Sequence, residues 1–228
     1  RDAQESRGLG DVYKRQEDEP LYVEEKSIMY LMARAAKQAG TPAIRTSSIR
    51  DVIAIKEETG LPVIGLVKIQ YPGYEGYITP TMKEVDDLVA AGSDVVALDC
   101  TLRKRGDGIT VNEFIAQIKE KYPDIILMAD ISNYEEGINA WKCGVDIVGT
   151  TMSGYTDYTS KKDEPDYELM ERLAKDTDIP VIGEGKIHYP DQAVKALQTG
   201  VWAIVVGGAI TRPLEIAQRF QKAIEAGK

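Results

Sequence analysis

The feature that most narrows what this chain can fold into is its beat. From Ile28 onward, short runs of β-branched and aliphatic residues alternate with longer segments whose apolar residues recur at helical spacing. The short runs are "PAIRT" (42–46), "LPVIGLVK" (61–68), "DVVALD" (94–99), "IILMAD" (125–130), "VDIVGTT" (145–151), "IPVIGEG" (179–185) and "VWAIVVGG" (201–208). A glycine closes several of the helical segments just before the next run, a natural helix stop. Ser residues at 47–48 are placed to cap one helix, and Pro213 suits the first position of another.

Continuous apolar strands are what a parallel sheet covered on both faces requires. Strand and helix in alternation give either a doubly wound sheet or a (β/α)8 barrel. No GxGxxG follows the first strand, which counts against a dinucleotide-binding sheet. The expected fold is therefore α/β, a (β/α)8 TIM barrel. Its missing eighth strand would fall among the first sixteen residues, "RDAQESRGLGDVYKRQ", which carry neither strand nor helix period. Residues 1–16 are expected to be a non-native or disordered leader and residues 17–228 a single barrel domain, with the first strand replaced or damaged.

Composition removes several function classes. A chain of 228 residues suits one barrel and needs no disulfide or metal to hold it together. Its formal charge of −9 argues against nucleic acid, yet leaves room for an anionic small molecule held by backbone N–H groups and one or two Arg. Cys100 and Cys143 form no disulfide framework, so a reducing cytoplasm is the default compartment. No apolar run approaches the ~18 residues of a membrane span. His188 is the one histidine, so no zinc site is expected and no cofactor is called for.

Active faces of such barrels lie at the C-terminal strand ends. The polar residues that end strands are Arg45, Lys68, Asp99, Asp130, Thr150, Glu184 and the pair Gly207–Gly208. Two near-identical strings, "PVIGLVKIQYP" (62–72) and "PVIGEGKIHYP" (180–190), would form strands on opposite sides of the ring. Side chains alternate across a strand, so Ile64, Leu66 and Lys68 share one face, as do Ile182 and Glu184. If that face looks inward, an amine and a carboxylate meet at the mouth, either as proton-transfer groups or as a structural ion pair. "VVGGAITRP" (205–213) is the phosphate candidate, because two glycines let backbone N–H groups approach a ligand. Gly185 and Lys186 would supply the rest of the cradle, in the loops after strands 7 and 8 that recur as phosphate sites. The tyrosines of "YPGYEGY" (71–77) and "SGYTDYTS" (153–160) read as pocket walls. Cys100 and His188 are set aside, the first for want of a partner base, the second as a loop residue.

The strings "VIGLVKIQYP", "YITPTMKEVDDLVAAGSDVVALD", "MADIS", "DIVGTTMSGYT", "IPVIGEGKI" and "AIVVGGAITRP" closely resemble the N-acetylmannosamine-6-phosphate 2-epimerase family of bacterial amino-sugar and sialic acid breakdown. The resemblance runs from about Glu17 to the C-terminus. It implies a cytoplasmic, metal-independent barrel of the ribulose-phosphate-binding type, a homodimer, that interconverts N-acetylmannosamine 6-phosphate and N-acetylglucosamine 6-phosphate. It implies that Lys68 is the catalytic lysine and Glu184 a second acid/base or sugar-orienting carboxylate. Arg45, Asp130 and Arg212 match substrate-contacting positions, and Gly185, Gly207 and Gly208 would hold the phosphate. Three departures stand out. Lys186 replaces a usual Arg and Cys100 a usual Ala, and "GLGDVYKRQ" stands where the family has an apolar strand ending in a sugar-contacting Gln. Gln16 would fill that role only by accident of position. The alternatives are another phosphosugar isomerase or decarboxylase barrel, or a sugar-phosphate binder disarmed by loss of its first strand.

Overall fold

Every apolar run forms a strand and every periodic segment a helix. The computed structural model describes residues 8–12 (as backbone), 27–161 and 163–227. In chain order the elements are β1 (Gly8–Val12), α1 (Met29–Gln38), β2 (Ile44–Ser47), α2 (Ile49–Thr59), β3 (Val63–Leu66), α3 (Met82–Ala90), β4 (Val95–Asp99), α4 (Val111–Lys121), β5 (Ile126–Asp130), α5 (Tyr134–Lys142), β6 (Ile147–Gly149), α6 (Tyr167–Asp176), β7 (Val181–Glu184), α7 (Pro190–Gln198), β8 (Ala203–Val206), α8 (Gly208–Thr211) and α9 (Pro213–Ala226). The eight strands pair in parallel, in sequence order, into a closed barrel. β3 and β7, which carry the twin strings, stand opposite one another.

Local chemistry sets the helix limits. Ser48 Oγ accepts from Asp51 N, and Thr110 with Glu113 forms a capping box at the start of α4. Gly60 caps α2 in the left-handed conformation at φ 63°, and Gly200 leads into β8 at φ 94°, both open to glycine without steric cost.

The strand alternation sorts the core into two clusters. Val63, Val96, Leu98, Leu127, Ala129, Val148, Val181 and Ile204 face outward and pack under the helices. Ile64, Leu66, Val95, Ala97, Met128, Ile182, Ala203 and Val205 fill the barrel interior. The inward face of β3 and β7 is thus the one carrying Leu66 and Glu184, as their alternation requires.

The first strand corrects one expectation. Gly8–Val12, placed by composition outside the barrel, pairs with β2 through Gly10↔Ile44, Asp11↔Arg45 and Val12↔Thr46, and with β8 through Gly8↔Ile204, Leu9↔Val205 and Gly10↔Val206. The ring therefore begins at Gly8, before the boundary drawn at residue 17, and it has no open edge. The physical reason is that β2 and β8 each present a row of backbone donors and acceptors, which any non-proline backbone can satisfy. Glycine-rich sequence weakens a strand without forbidding it. The remainder of the expected leader, including Gln16, lies outside the described residues.

Lys68 is not held by β3, which ends at Leu66. Beyond it the chain forms a short antiparallel ladder with 77–79: Ile69 N donates to Tyr77 O (2.9 Å), Thr79 N donates to Val67 O (2.7 Å), and Lys68 pairs with Ile78. Thr79, at φ 47°, locks this ladder to the barrel, its hydroxyl donating to Ala97 O (2.6 Å) and accepting from Val67 N (3.2 Å). Removing that hydroxyl in the isosteric Thr79→Val leaves a buried donor and a buried acceptor unmet, a cost of about 1–3 kcal/mol each. The melting temperature of Thr79→Val should fall by about 4–24 °C in a calorimetric scan. Leu66→Ala, which empties the wholly buried layer beneath Lys68, should cost about 2–5 kcal/mol in denaturant titration. Ile126→Thr, at a position 42% exposed, should stay within about 0.5 kcal/mol.

Candidate active site

One cavity of about 330 Å³ opens at the C-terminal end of the strands. Lys68, Glu184, Gly185, Gly207, Gly208 and Arg212 all line it, and Lys186 joins them. Residues 116 positions apart in the chain, Lys68 and Glu184, thus share one chamber, each brought there by its copy of the repeated string. The volume is in the range of small-molecule sites.

Arg45 and Asp130 take a different place. Neither lines the cavity; both are wholly buried beneath it, and Glu184 is 4% exposed above them. Arg45 Nη2 lies 2.7 Å from Asp130 Oδ2, and Arg45 Nε lies 3.3 Å from Glu184 Oε2. One guanidinium from β2 therefore ties together carboxylates from β5 and β7. Burial pushes Asp130 up to about 6, the nearby charge of Glu184 pushing the same way while Arg45 and a hydrogen bond from Thr151 pull it back. The backbone of Glu184 is clamped as well. Thr150 Oγ1 donates to Glu184 O (2.8 Å) and accepts from Glu184 N (3.0 Å), so Thr150 pins β7 instead of facing the mouth.

The phosphate candidates form a continuous turn-and-helix rim. Gly185 at φ 102° and Lys186 at φ 60° reverse the chain directly after Glu184. A non-glycine residue at the first of these angles would be strained. Lys186 Nζ donates to Ser153 O (3.2 Å) and lies 5.1 Å from the Tyr155 ring centroid. Gly207 precedes the short helix α8, a piece that the sequence showed only as a turn. A side chain at Gly208 would meet Glu215 Oε2 at 3.1 Å and Arg212 Cδ at 3.3 Å, pressing on the ion pair of the rim. Arg212 Nη1 pairs with Glu215 Oε1, a contact that an incoming anion can compete for. The lining thus carries Lys68, Lys186 and Arg212 against Glu184 and Glu215.

Tyr77 and Tyr155 line the cavity, and burial raises both phenols above their usual range. The other tyrosines of the two loops turn away: Tyr71 donates to Glu84, Tyr158 to Glu136, and Tyr74 lies under Arg105. Asp99 lies outside the cavity lining, holding Thr101 and Arg103. Cys100 is buried on the outer face, where burial holds its thiol far above the reactive range.

Several lining residues escaped the sequence reading, His188, Thr151, Met152 and Glu215 among them. His188 lies in the wall, its Nδ1 3.3 Å from Arg219 Nη1. A guanidinium only donates, so Nδ1 accepts and Nε2 carries the proton. Thr151 and Met152, one and two positions beyond Thr150, also face the cavity. Strand parity pointed to Thr151 no more than to its neighbour, because β6 ends at Gly149. Among the described residues, no three His, Cys, Asp or Glu side chains are grouped to hold a metal ion.

Comparison with known proteins places this geometry. Residues 29–226 match the model of the NanE family, described as "Putative N-acetylmannosamine-6-phosphate epimerase". The chain is 54% identical over 204 residues to a "Putative N-acetylmannosamine-6-phosphate 2-epimerase" of Caldanaerobacter subterraneus subsp. tengcongensis, covering 90% of this chain and 85% of the relative. It is 50% identical over 209 residues to the protein of the same name from Clostridioides difficile, covering 92% of each. Among solved structures, the N-acetylmannosamine-6-phosphate 2-epimerase from Clostridium perfringens superposes with a TM-score of 0.89 at 46% identity, over 95% of this chain and 93% of that one. Barrel, cavity and sequence agree: the chain belongs to the N-acetylmannosamine-6-phosphate epimerase family.

Proposed function

We propose that the protein interconverts N-acetylmannosamine 6-phosphate and N-acetylglucosamine 6-phosphate by inverting C2. The observation that carries this reading is the meeting of Lys68 and Glu184 in one cavity whose rim is built from Gly185, Lys186, Gly207, Gly208 and Arg212. An anion seated on that rim meets backbone N–H groups and two cations, which suits the phosphate. The sugar then extends toward the amine and the carboxylate.

Inversion at C2 needs an acidic C–H, and opening the pyranose ring to the aldehyde provides one. Lys68 takes the C2 proton, the electron pair moves onto the aldehyde oxygen, and cationic groups stabilise the enolate. A proton returned to the other face gives the epimer, and ring closure completes the cycle with no net gain or loss of atoms. Glu184 serves ring opening or the second face. Arg45 and Asp130 act in this reading through Glu184, fixing its position and charge from below, instead of touching the sugar. Tyr77, Tyr155 and Met152 wall the chamber.

The same reading makes the protein a cytoplasmic homodimer. No helix among the described residues is long and apolar enough to cross a membrane. α9 has no buried residue, and it presents Phe220 at 70% and Ile224 at 55% exposure, an apolar face that a second copy would cover. Phe220→Asp should convert a dimer to a monomer in analytical ultracentrifugation; an unchanged sedimentation coefficient would remove α9 from the interface.

The decisive assay is proton exchange. With N-acetylmannosamine 6-phosphate in deuterium oxide, NMR should show the gluco epimer carrying deuterium at C2. Lys68→Ala should slow both exchange and epimerisation by about two to four orders of magnitude. Exchange at the wild-type rate in that variant would take Lys68 out of the chemistry, and an unreacted sugar with the wild-type protein would reject the activity.

A further inference from the structure

Thr151 stands between the two carboxyl groups of the site. Its hydroxyl lies 2.7 Å from Asp130 Oδ1 and 3.0 Å from Glu184 Oε2. A hydroxyl carries one proton, and an ionised carboxylate only accepts. With both carboxylates ionised, that single proton serves one contact, and the other sets lone pair against lone pair. The one guanidinium of the cluster is already shared between the same two groups. One additional proton completes the chain, a carboxyl O–H donating to Thr151 Oγ1 and the Thr151 O–H donating to the second carboxylate.

We propose that Asp130, Thr151 and Glu184 form a proton relay, in which the two carboxyl groups share one proton and the Thr151 hydroxyl passes it between them. Glu184 faces the cavity and Asp130 does not. The shared proton rests on Asp130: as it moves to Thr151 Oγ1, the Thr151 proton moves to Glu184 Oε2, and Glu184 hands that proton to a substrate oxygen. Asp130 is left as the anion, against Arg45. The reverse transfer reloads it when Glu184 takes a proton from the product. One proton travels in each direction, with no other reactant. Thr151 is thus a relay residue acting through Glu184. This role rests on the cavity being the site of epimerisation; the shared proton itself does not.

The groups that face the relay are Arg45 from β2, Lys68 and Tyr77 from the two sides of the ladder after β3, Tyr155 from the loop after β6, Arg212 from the rim, and Asp130 and Glu184 themselves. Arg45 keeps its charge at all working pH values, so the proton count changes on the carboxyl groups. With Asp130 raised to about 6, the relay is loaded below that pH and empties as pH rises through it. The substrate phosphate titrates near 6 as well, and His188 lies in the wall. Both contributions are common to every variant below, so the difference between profiles carries the test.

Two measurements decide it. Infrared spectra of the ligand-free protein, Asp130→Asn subtracted from wild type, should show a protonated buried carboxyl at about pH 5 that disappears by about pH 7.5. The kcat–pH profile of the wild type should fall through about pH 6 more steeply than those of Thr151→Val and Asp130→Asn. Those two variants should share one flatter profile, with kcat lower by about tenfold or more and KM little changed, and Thr151→Ser should restore the wild-type shape. A wild-type profile in Thr151→Val, or no protonated carboxyl in the difference spectrum, overturns the relay. The infrared arm uses no substrate and does not need the valine variant, so it decides even where Thr151→Val fails to fold. It also stands whether or not the chain turns over the sugar.

Discussion

The mouth of the barrel depends on one guanidinium without any exposed surface. Arg45 rises from β2 and meets carboxylates from β5 and β7, with Met128 Sδ 3.4 Å from its Nη1. An ion buried alone costs several kcal/mol, so its partners are not optional. Because arginine does not give up its proton, the charge at this point is fixed. Burial is what raises Asp130, with the charge of Glu184 adding to it and Arg45 holding it back.

Much of this was legible in the sequence, for a reason that is geometric. A parallel strand buried on both faces reads as an apolar run, and the run's last polar residue lies at the barrel mouth whatever the helices do. That placed Lys68, Glu184 and the two-glycine end of β8 correctly. The same rule reaches its limit where strands stop. β6 ends at Gly149, so whether Thr150 or Thr151 faces inward is decided by loop hydrogen bonds that no periodicity records. Depth is equally invisible. Arg45 sits inside β2, level with Ile64, and Asp130 closes β5, whereas Lys68 lies two residues beyond the end of β3. The first strand was misjudged because side-chain pattern was asked to report on a backbone requirement. The ring closes through the backbone pairing of Gly8–Val12 with β2 and β8.

Charge distribution separates two roles that net charge conflates. The chain carries −9 overall, which at long range repels an anionic substrate. At the cavity, Lys68, Lys186 and Arg212 outnumber Glu184 and Glu215. Salt screens exposed charges beyond about 8–10 Å, so the distant acidic surface weighs little once the ligand is inside. Glu215 holds Arg212 at the rim by an ion pair.

The twin strings show how a small sequence difference assigns two roles to one strand design. They align Lys68 with Lys186, and both amines reach the same cavity from opposite walls. They align Leu66 with Glu184, so the inward position beneath the rim is sealed on one side and ionisable on the other. The decisive difference is Val67 against Gly185. Valine, branched at Cβ, resists positive φ, and the chain after β3 stays extended and pairs with 77–79, which carries Lys68 over the chamber. Glycine accepts φ 102°, and the chain after β7 turns at once along the cavity rim, with Lys186 following at φ 60°. Substituting a bulky residue at Gly185 would therefore redirect Lys186 before it disturbed the barrel, because the turn begins where the last barrel pairing, Glu184↔Val205, has already been made.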